Sequence, residues 1–317
     1  MTKLAFLFPG QGSQFAGMGK TLFEAHAEAR QVFEEADAVL GFSLSRLCFE
    51  GPEEDLKRTE ITQPALLTVS VAASRVLAAM GVLPEYVAGH SLGEYSALVE
   101  SGGLKFRDAL KLVRKRGQYM QEAVPPGVGA MAALLKLPAG KLDGILAEAA
   151  NGEVVSAANF NSPDQVVIAG HAAAVARAME LAKAAGAKRA VALAVSAPFH
   201  CALMKPAQER MALELANVHF ADLRIPLVNN WQAAEIRTAE EARQGLFEQI
   251  PNSVRWTETI RYLADRGISH FVEVGPGAVL TGLLRNIDPK LIGMKFGEAA
   301  DKEKLHAIPP DSREGLL

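Results

Sequence analysis

The chain has 317 residues, of which 49% are hydrophobic and 22% are charged, proportions that are typical of a globular protein. The 33 basic and 36 acidic side chains give a net charge of -3, so the overall charge does not indicate nucleic-acid binding. With two cysteines and no long apolar run, we expect a cytoplasmic protein without a disulfide framework, a metal, a cofactor or a membrane partner.

The first part of the chain alternates strands with helices. Hydrophobic periodicity predicts the elements in this order: a strand at 4–8, helices at 21–40 and 64–80, a strand at 82–88, and helices at 92–100 and 106–122. Such alternation is typical of a parallel sheet that is covered by helices on both faces. We therefore predict an α/β fold with a hydrolase-like parallel sheet.

The order of predicted elements changes between Pro125-Pro126-Gly127 and Ser196-Ala197-Pro198. Its predicted elements are a strand at 129–135, a helix at 138–150, strands at 154–159 and 165–169, a helix at 172–185 and a strand at 188–195. This βαββαβ order is that of ferredoxin-like units. We predict that residues 127–196 form a small ferredoxin-like subdomain inserted into the larger one.

The larger subdomain resumes after the insertion. The predicted elements are a strand at 225–229, helices at 240–250 and 254–266, and a strand at 271–274. We therefore assign residues 1–126 and 197–295 to one discontinuous α/β subdomain. The remaining residues, 296–317, are charged and rich in proline near their end, which predicts a loosely held tail.

The segment Gly89-His90-Ser91-Leu92-Gly93 matches the G-x-S-x-G nucleophile elbow, and it stands between a predicted strand and a predicted helix as that motif requires. Glycines permit the sharp turn, which exposes the serine hydroxyl at the carboxyl end of the sheet. The first free N–H of the helix, that of Leu92, could stabilise an oxyanion. The alternative is a capping box, in which Ser91 caps the helix and Glu94 reaches back.

A serine nucleophile needs a base, and His200 is the candidate among seven histidines. It follows a predicted strand where the chain crosses between the two subdomains, and clefts form at such places. The alternative is a histidine that is merely packed near a hinge. No acidic residue stands out as a third member, so the sequence predicts a dyad in which an amide or a backbone carbonyl orients the histidine.

A glycine-rich loop, Gly10-Gln11-Gly12-Ser13-Gln14, follows the first strand. It does not fit a nucleotide-binding loop, because Gln14 stands where a phosphate loop needs glycine and Phe15 stands where the dinucleotide fingerprint needs it. Backbone N–H groups in such a loop can approach a ligand closely. An oxyanion hole beside the serine is the natural use.

Several segments together resemble one family. They are Phe8-Pro9-Gly10-Gln11-Gly12-Ser13-Gln14, Thr62-Gln63-Pro64-Ala65, Gly89-His90-Ser91-Leu92-Gly93-Glu94-Tyr95, Asn159-Phe160-Asn161-Ser162-Pro163 and Val274-Gly275-Pro276-Gly277. In this order they resemble the motifs of the malonyl-CoA:acyl carrier protein transacylases of bacterial type II fatty acid synthesis. The resemblance covers about residues 3–285.

The resemblance implies a role for each site residue. Ser91 would be the nucleophile, His200 its base and Gln249 the residue whose main chain orients the histidine. The oxyanion hole would be formed by the backbone N–H groups of Gln11 and Leu92. Arg116 would bind the free carboxylate of malonyl, although the sequence alone favours a solvated basic face for it. One departure is Phe199, where the family commonly has serine.

The implied reaction is a ping-pong transfer of malonyl from malonyl-CoA to the phosphopantetheine thiol of acyl carrier protein, through a malonyl-serine ester. The carrier is acidic, so basic side chains of this chain are the candidates for docking it. They are Lys111, Lys115, Lys183, Lys188 and Arg189. Three alternatives stay open: a serine esterase or thioesterase, a non-catalytic carrier-binding protein, and service to a polyketide pathway.

Overall fold

The structure is a computed structural model that describes residues 3–195 and 197–308, without the side chains of residues 306 and 307. The first half of the described chain contains β1 (Lys3–Phe8), α1 (Lys20–Ala25), α2 (Ala27–Leu40), α3 (Leu44–Glu50), α4 (Glu53–Leu56), α5 (Thr59–Ala79), β2 (Tyr86–Gly89), α6 (Gly93–Glu100) and α7 (Phe106–Glu122).

The next elements are β3 (Gly129–Leu135), α8 (Leu142–Ala150), β4 (Val155–Ser162), β5 (Gln165–His171), α9 (Ala172–Ala184) and β6 (Arg189–Ala192). They are followed by α10 (Lys205–Ala216), β7 (Leu227–Val228), β8 (Glu235–Ile236), α11 (Ala239–Glu248), α12 (Trp256–Asp265), β9 (Ile268–Val274), α13 (Val279–Ile287) and β10 (Ile292–Phe296). Turns of 3-10 helix occur at Ala202–Met204 and Ala299–Ala307.

The larger sheet has six strands in the order β10-β9-β1-β2-β7-β8. All neighbours are parallel except β7 and β8, which are antiparallel. Residues 4–8 of β1 are all buried, as expected of a central parallel strand that is covered on both faces. The register pairs Phe8 with Gly89, so the glycine-rich loop after β1 and the serine turn after β2 begin side by side.

The smaller sheet has four strands in the order β4-β5-β3-β6, and all of its pairs are antiparallel. Helices α8 and α9 pack together on this sheet around a separate apolar cluster. Strand β4 touches the rest of the protein at Val254, where Val254 donates to the carbonyl of Ala158 at 2.8 Å and accepts from the amide of Phe160 at 2.9 Å. This contact joins the smaller sheet to the segment between α11 and α12.

Helix α5 is long and apolar enough to cross a membrane by its length and composition. However, 89% of its most apolar window is buried inside the protein, which is typical of a core helix. It begins at Thr59, five residues before the predicted start, and so contains Pro64 in its interior. The carbonyl of Pro64 accepts a hydrogen bond from the hydroxyl of Thr68 at 2.8 Å.

Several predicted boundaries differ from the structure. The helix predicted at 21–40 is two helices, because the chain is extended at His26 between them. The helix predicted at 138–150 begins at Leu142, since Gly140 has a positive φ of 74° just before it. The strand predicted at 188–195 is shorter in the structure, where it comprises Arg189–Ala192. The sequence analysis did not predict α3, α4, α10, β8, α13 or β10.

The prediction of a loosely held tail from residue 296 is wrong as far as residue 308. Residues 299–307 form 3-10 turns that pack against β10, and Leu305 and Ile308 are buried. The carboxylate of Asp301 accepts hydrogen bonds from the amides of Gly297 and Glu298, which stabilises the start of these turns. Residues 309–317 of the predicted tail lie outside the described residues, as do the first two residues and the predicted boundary at residue 196.

Candidate active site

Ser91 lies in a sharp turn between β2 and α6. Its φ is 51°, a left-handed conformation that is uncommon for a residue other than glycine. The flanking glycines permit the close approach of backbones, because a Cβ on Gly89 would lie 1.9 Å from the carbonyl carbon of Gly93. A Cβ on Gly93 would lie 2.0 Å from the carbonyl oxygen of Phe8. The predicted elbow turn is therefore present in the structure.

The capping-box alternative is wrong. Helix α6 has no side-chain cap, and its N-cap position is Leu92 instead of Ser91. The carboxylate of Glu94 does not reach back to the amide of Ser91. It accepts hydrogen bonds from the amide of Asn230 at 3.0 Å and from Nε2 of Gln249 at 2.9 Å.

Ser91 and His200 form a hydrogen-bonded pair, with 2.7 Å between Oγ and Nε2. The other ring nitrogen, Nδ1, lies 2.9 Å from the carbonyl oxygen of Gln249. Since a carbonyl only accepts, Nδ1 must carry the proton and Nε2 must be free to accept one from the serine. The orienting group is therefore a backbone carbonyl, one of the two kinds that the sequence left open.

The environment of His200 keeps its imidazole neutral. Burial and then the positive charge of Arg116 lower the pKa of His200 to about 3, although the carbonyl of Gln249 acts in the opposite direction. The ring is therefore unprotonated at neutral pH. A neutral imidazole within hydrogen-bond distance of a hydroxyl can act as a general base.

Arg116 is buried beside the serine instead of lying on a solvated basic face. Its Nη1 donates to Oε1 of Gln63 at 3.0 Å, and its Nη2 donates to Oε1 of Gln249 at 2.8 Å and to Oγ of Ser91 at 3.2 Å. The side chain is 1% exposed. The sequence contains a signal for this burial, because Arg116 is spaced on α7 so that it shares the apolar face of Leu112, Val113 and Met120.

Gln11 and Leu92 line the same cavity as Ser91 and His200. The glycine-rich loop reaches the elbow because Gly10 has no side chain: a Cβ there would lie 2.4 Å from the carbonyl oxygen of His90. Within the described part of the chain, neither the backbone amide of Gln11 nor that of Leu92 donates a hydrogen bond. Free N–H groups beside a nucleophile are the arrangement that an oxyanion hole needs.

Two amide side chains hold the elbow, and the sequence analysis did not predict this function for either. Asn230 accepts from the amide of Ser91 at 2.7 Å and donates to the carbonyl of Gly89 at 2.6 Å. Nε2 of Gln249 donates to the carbonyl of Ser91 at 2.9 Å. Asn230 comes soon after β7, and a polar residue at the carboxyl end of the strand next to β2 is the signal that could have identified it.

The cavity has a volume of about 110 Å³. One wall is apolar and is formed by Met120, Met131, Leu193, Val195 and Phe199. Phe199 is 8% exposed and lines the cavity together with His200. No group of three or more histidine, cysteine, aspartate or glutamate side chains that could hold a metal occurs among the described residues.

Comparison with known proteins places these features in a family. A family model described as the acyl transferase domain matches residues 5–289. The malonyl CoA-acyl carrier protein transacylase of Escherichia coli K12 is 50% identical, over 94% of this chain and 97% of that protein. The protein of the same name from Bacillus subtilis is 47% identical, over 92% of each chain.

Solved structures agree with the fold. An acyl carrier protein S-malonyltransferase from Vibrio cholerae superposes with a TM-score of 0.94 at 48% identity, covering 96% of this chain and all of that one. A malonyl-transacylase in complex with a type II polyketide synthase acyl carrier protein has a TM-score of 0.93, also at 48% identity, and covers 95% of this chain and 97% of that one. The mixed α/β fold with a largely parallel sheet is that of these proteins.

Proposed function

Because the chain belongs to the malonyl-CoA:acyl carrier protein transacylase family of acyl transferases, we propose that it moves a malonyl group from malonyl-CoA to acyl carrier protein in fatty acid synthesis. The acceptor is the thiol of the carrier's phosphopantetheine arm, and a malonyl-serine ester is the intermediate. One observation carries the proposal. Oγ of Ser91 lies 2.7 Å from the base His200 and 3.2 Å from the guanidinium of Arg116.

In the first half-reaction Oγ of Ser91 attacks the thioester carbonyl while Nε2 of His200 takes the hydroxyl proton. The backbone amides of Gln11 and Leu92 donate to the oxyanion that forms. The tetrahedral intermediate collapses, the carbon–sulfur bond breaks, and the protonated His200 gives its proton to the departing thiol of coenzyme A. The carbonyl of Gln249 stabilises the imidazolium between these two proton transfers.

Arg116 recognises the free carboxylate of the malonyl group. A guanidinium can form two parallel charge-assisted hydrogen bonds with a carboxylate, and such bonds are about twice as strong as neutral ones. Burial strengthens this pairing, because little water competes for the guanidinium. An acetyl group lacks the carboxylate and leaves the buried cation without this partner, which favours malonyl.

In the second half-reaction the thiol of the carrier's arm attacks the malonyl-serine ester. His200 takes the thiol proton and returns a proton to Oγ of Ser91 as the ester breaks, so the free protein is regenerated. Transfer to the thiol instead of to water requires that the ester is shielded. The apolar residues around Phe199 and the hydrogen bonds of Arg116 to the carboxylate would shield the ester from water.

The acidic carrier docks on exposed basic side chains of the two subdomains. Lys111, Lys188 and Arg189 are exposed and form no salt bridge with another described residue, so they are free to bind a partner. Lys115 and Lys183 are weaker candidates, since Lys115 already pairs with Glu214 at 2.6 Å and Lys183 with Glu180 at 2.8 Å. Charge complementarity of this kind chiefly raises the association rate.

The division of the chain is part of the proposal. Residues 127–196 form a ferredoxin-like small subdomain, and residues 1–126 and 197–295 form a hydrolase-like large one. The βαββαβ order of the elements and the antiparallel strand order β4-β5-β3-β6 support this division. We place the protein in the cytoplasm on the strength of its two buried free cysteines and its relatives.

The deciding experiment is the intact mass of the protein after brief mixing with malonyl-CoA. The wild-type protein should gain one malonyl group, and Ser91→Ala should gain none. Addition of holo-carrier should then remove the adduct, whereas apo-carrier, which lacks the arm, should not. Release of free malonate without an adduct would instead indicate a hydrolase, and no reaction at all would indicate a carrier-binding protein.

The same experiment separates the two pathways that use such carriers. A structural neighbour at 48% identity is bound to a polyketide synthase carrier, so a polyketide carrier is a second acceptor to test. Faster discharge of the malonyl-serine ester by a fatty acid synthesis carrier supports the proposed pathway. Faster discharge by the polyketide carrier overturns the assignment to fatty acid synthesis, but it leaves the proposed malonyl transfer through Ser91 intact.

A further inference from the structure

Glu94 is a fully buried carboxylate three residues after the nucleophile, and the reaction described above does not use it. Its Oε2 accepts from the amide of Asn230 at 3.0 Å and from Nε2 of Gln249 at 2.9 Å. Its Oε1 has no hydrogen-bond partner among the residues that the structure describes. Burial of a carboxylate is unfavourable unless its hydrogen bonds offset the loss of water. The function of Glu94 is therefore to be found in its hydrogen bonds with Asn230 and Gln249.

The side-chain amide of Gln249 has an acceptor end and a donor end, and its orientation matters for Arg116. In the observed orientation Oε1 accepts from Nη2 of Arg116 at 2.8 Å, while Nε2 faces Glu94 and the carbonyl of Ser91. If the amide rotated by half a turn, its NH2 group would face the guanidinium, and two donors would meet. Its oxygen would at the same time face the carboxylate of Glu94.

We propose that Glu94 is a positioning residue, which fixes the orientation of the Gln249 amide and thereby holds Nη2 of Arg116 where the substrate carboxylate binds. This inference rests on the proposed malonyl transfer. Gln63 holds only the other nitrogen, Nη1, so it does not replace this contact. The chain of contacts runs from Glu94 through Gln249 to Arg116, and each link is a hydrogen bond of 2.9 Å or less.

Oε2 of Glu94 can accept the hydrogen bond from Gln249 whether the carboxyl is ionised or protonated. Burial raises the pKa of this carboxyl to about 7, so near neutral pH it exists in both forms. In the protonated form the proton can reside on the unpartnered Oε1, which leaves Oε2 as an acceptor. For the same reason Glu94→Gln is conservative, because the amide oxygen can take the position of Oε2.

The test compares variants of Glu94 in the first half-reaction with malonyl-CoA and with acetyl-CoA. Glu94→Leu removes the acceptor at similar volume, and Glu94→Asp withdraws it by one methylene while it keeps the charge. Both should raise KM for malonyl-CoA and lower the preference for malonyl over acetyl in kcat/KM by about tenfold, the effect of losing one hydrogen bond. Glu94→Gln should keep the preference within about threefold of the wild type.

The matched control is Glu100→Leu, since this carboxylate is on the same helix but bonds to Ser74, outside the network. It should leave the acyl preference unchanged. If kcat/KM falls by the same factor for malonyl-CoA and acetyl-CoA in Glu94→Leu and Glu94→Asp, the residue is merely structural and the proposal is overturned. The proposal is also overturned if neither kcat/KM value falls. If Glu94→Leu does not fold, Glu94→Asp gives the answer. A wild-type protein that forms no malonyl adduct would refute the proposed function itself.

Discussion

Arg116 donates a hydrogen bond from Nη2 to Oγ of Ser91, the same oxygen that donates its hydroxyl proton to Nε2 of His200. The side chain that we propose binds the substrate carboxylate is therefore in contact with the side chain that we propose is the nucleophile. When a carboxylate arrives, Nη2 must divide its hydrogen bonds between that carboxylate, Gln249 and the serine. Recognition and reactivity are consequently coupled through one nitrogen atom.

Removal of this guanidinium should change which acyl group is used. We expect Arg116→Ala to lower kcat/KM for malonyl-CoA by about 10- to 100-fold, because charge-assisted hydrogen bonds are lost, while acetyl-CoA is affected much less. Arg116→Lys should give an intermediate value, since an ammonium keeps the charge but cannot form two parallel bonds. An unchanged ratio of the two kcat/KM values would show that Arg116 does not bind the carboxylate.

The low pKa of His200 predicts an unusual pH dependence. Burial and the charge of Arg116 lower this pKa to about 3, so the neutral base persists well below pH 6.5. We expect kcat/KM for malonyl-CoA to show no acid limb near pH 6.5 and to remain nearly level down to about pH 5. Arg116→Met removes the positive charge that contributes to the low pKa, and it should move the acid limb to higher pH.

The control for this profile is Glu94→Gln, which removes the buried carboxyl whose pKa is raised to about 7. Its profile should match that of the wild type. Thermal unfolding at each pH shows whether the fold persists over the range. A wild-type limb centred near pH 6.5, present in both proteins, would contradict the neutral-histidine interpretation.

Phe199 should limit the size of the acyl group. Its buried ring forms part of the apolar wall beside His200, and a smaller side chain would enlarge the pocket. We expect Phe199→Ala to increase the use of malonyl groups that carry an extra methyl, relative to malonyl, and to lower stability by about 3–5 kcal/mol. Phe220→Ala is the control, because Phe220 is equally buried but is not a residue of the cavity wall. Both variants should lose stability, but only the first should change the acyl range.

The elbow should not tolerate a side chain at Gly93. A Cβ there would lie 2.0 Å from the carbonyl oxygen of Phe8, a backbone atom of the central strand that cannot move aside. We expect Gly93→Ala to lower the free energy of unfolding by more than about 3 kcal/mol. Gly144 in α8 has no atoms within 4 Å of the corresponding position, so Gly144→Ala should instead raise it by about 0.5–1 kcal/mol. Urea unfolding of both variants checks the contrast.

Added salt and reversal of a docking charge should change KM for acyl carrier protein. Neither should change the reaction of the protein with malonyl-CoA. We expect Arg189→Glu to raise KM for acyl carrier protein several-fold at low ionic strength, and added salt should narrow the difference from the wild type. Lys57→Glu is the control, since Lys57 already pairs with Glu54 elsewhere on the surface. Carrier binding that does not weaken with salt would argue against docking through these charges.

The sequence was most informative where local chemistry decides the structure. The run at 4–8, the glycines around Ser91 and the periodicity of residues 106–122 each depend on a few neighbouring side chains, and each was predicted correctly. His200 was identified by its place at the end of a strand between the two parts of the chain. The roles of Gln249 and Arg116 were not read from the residues themselves; they came from the resemblance to a family.

What the sequence did not predict depends on which strands become neighbours. Asn230 reaches the elbow only because β7 lies beside β2, although the two strands are more than a hundred residues apart. Glu94 resembled half of a capping box because that motif is local, whereas its actual partners come from two distant segments. No pattern within one segment contains this information.

The hydrogen bonds that hold the elbow come from segments that are translated after Ser91. Residue 91 emerges from the ribosome long before Asn230 and Gln249, which hold its turn, and before His200, its base. A nascent chain that stops short of residue 249 lacks the carbonyl that orients the histidine. An unfinished chain therefore lacks the hydrogen bonds that hold the turn at Ser91 and orient His200.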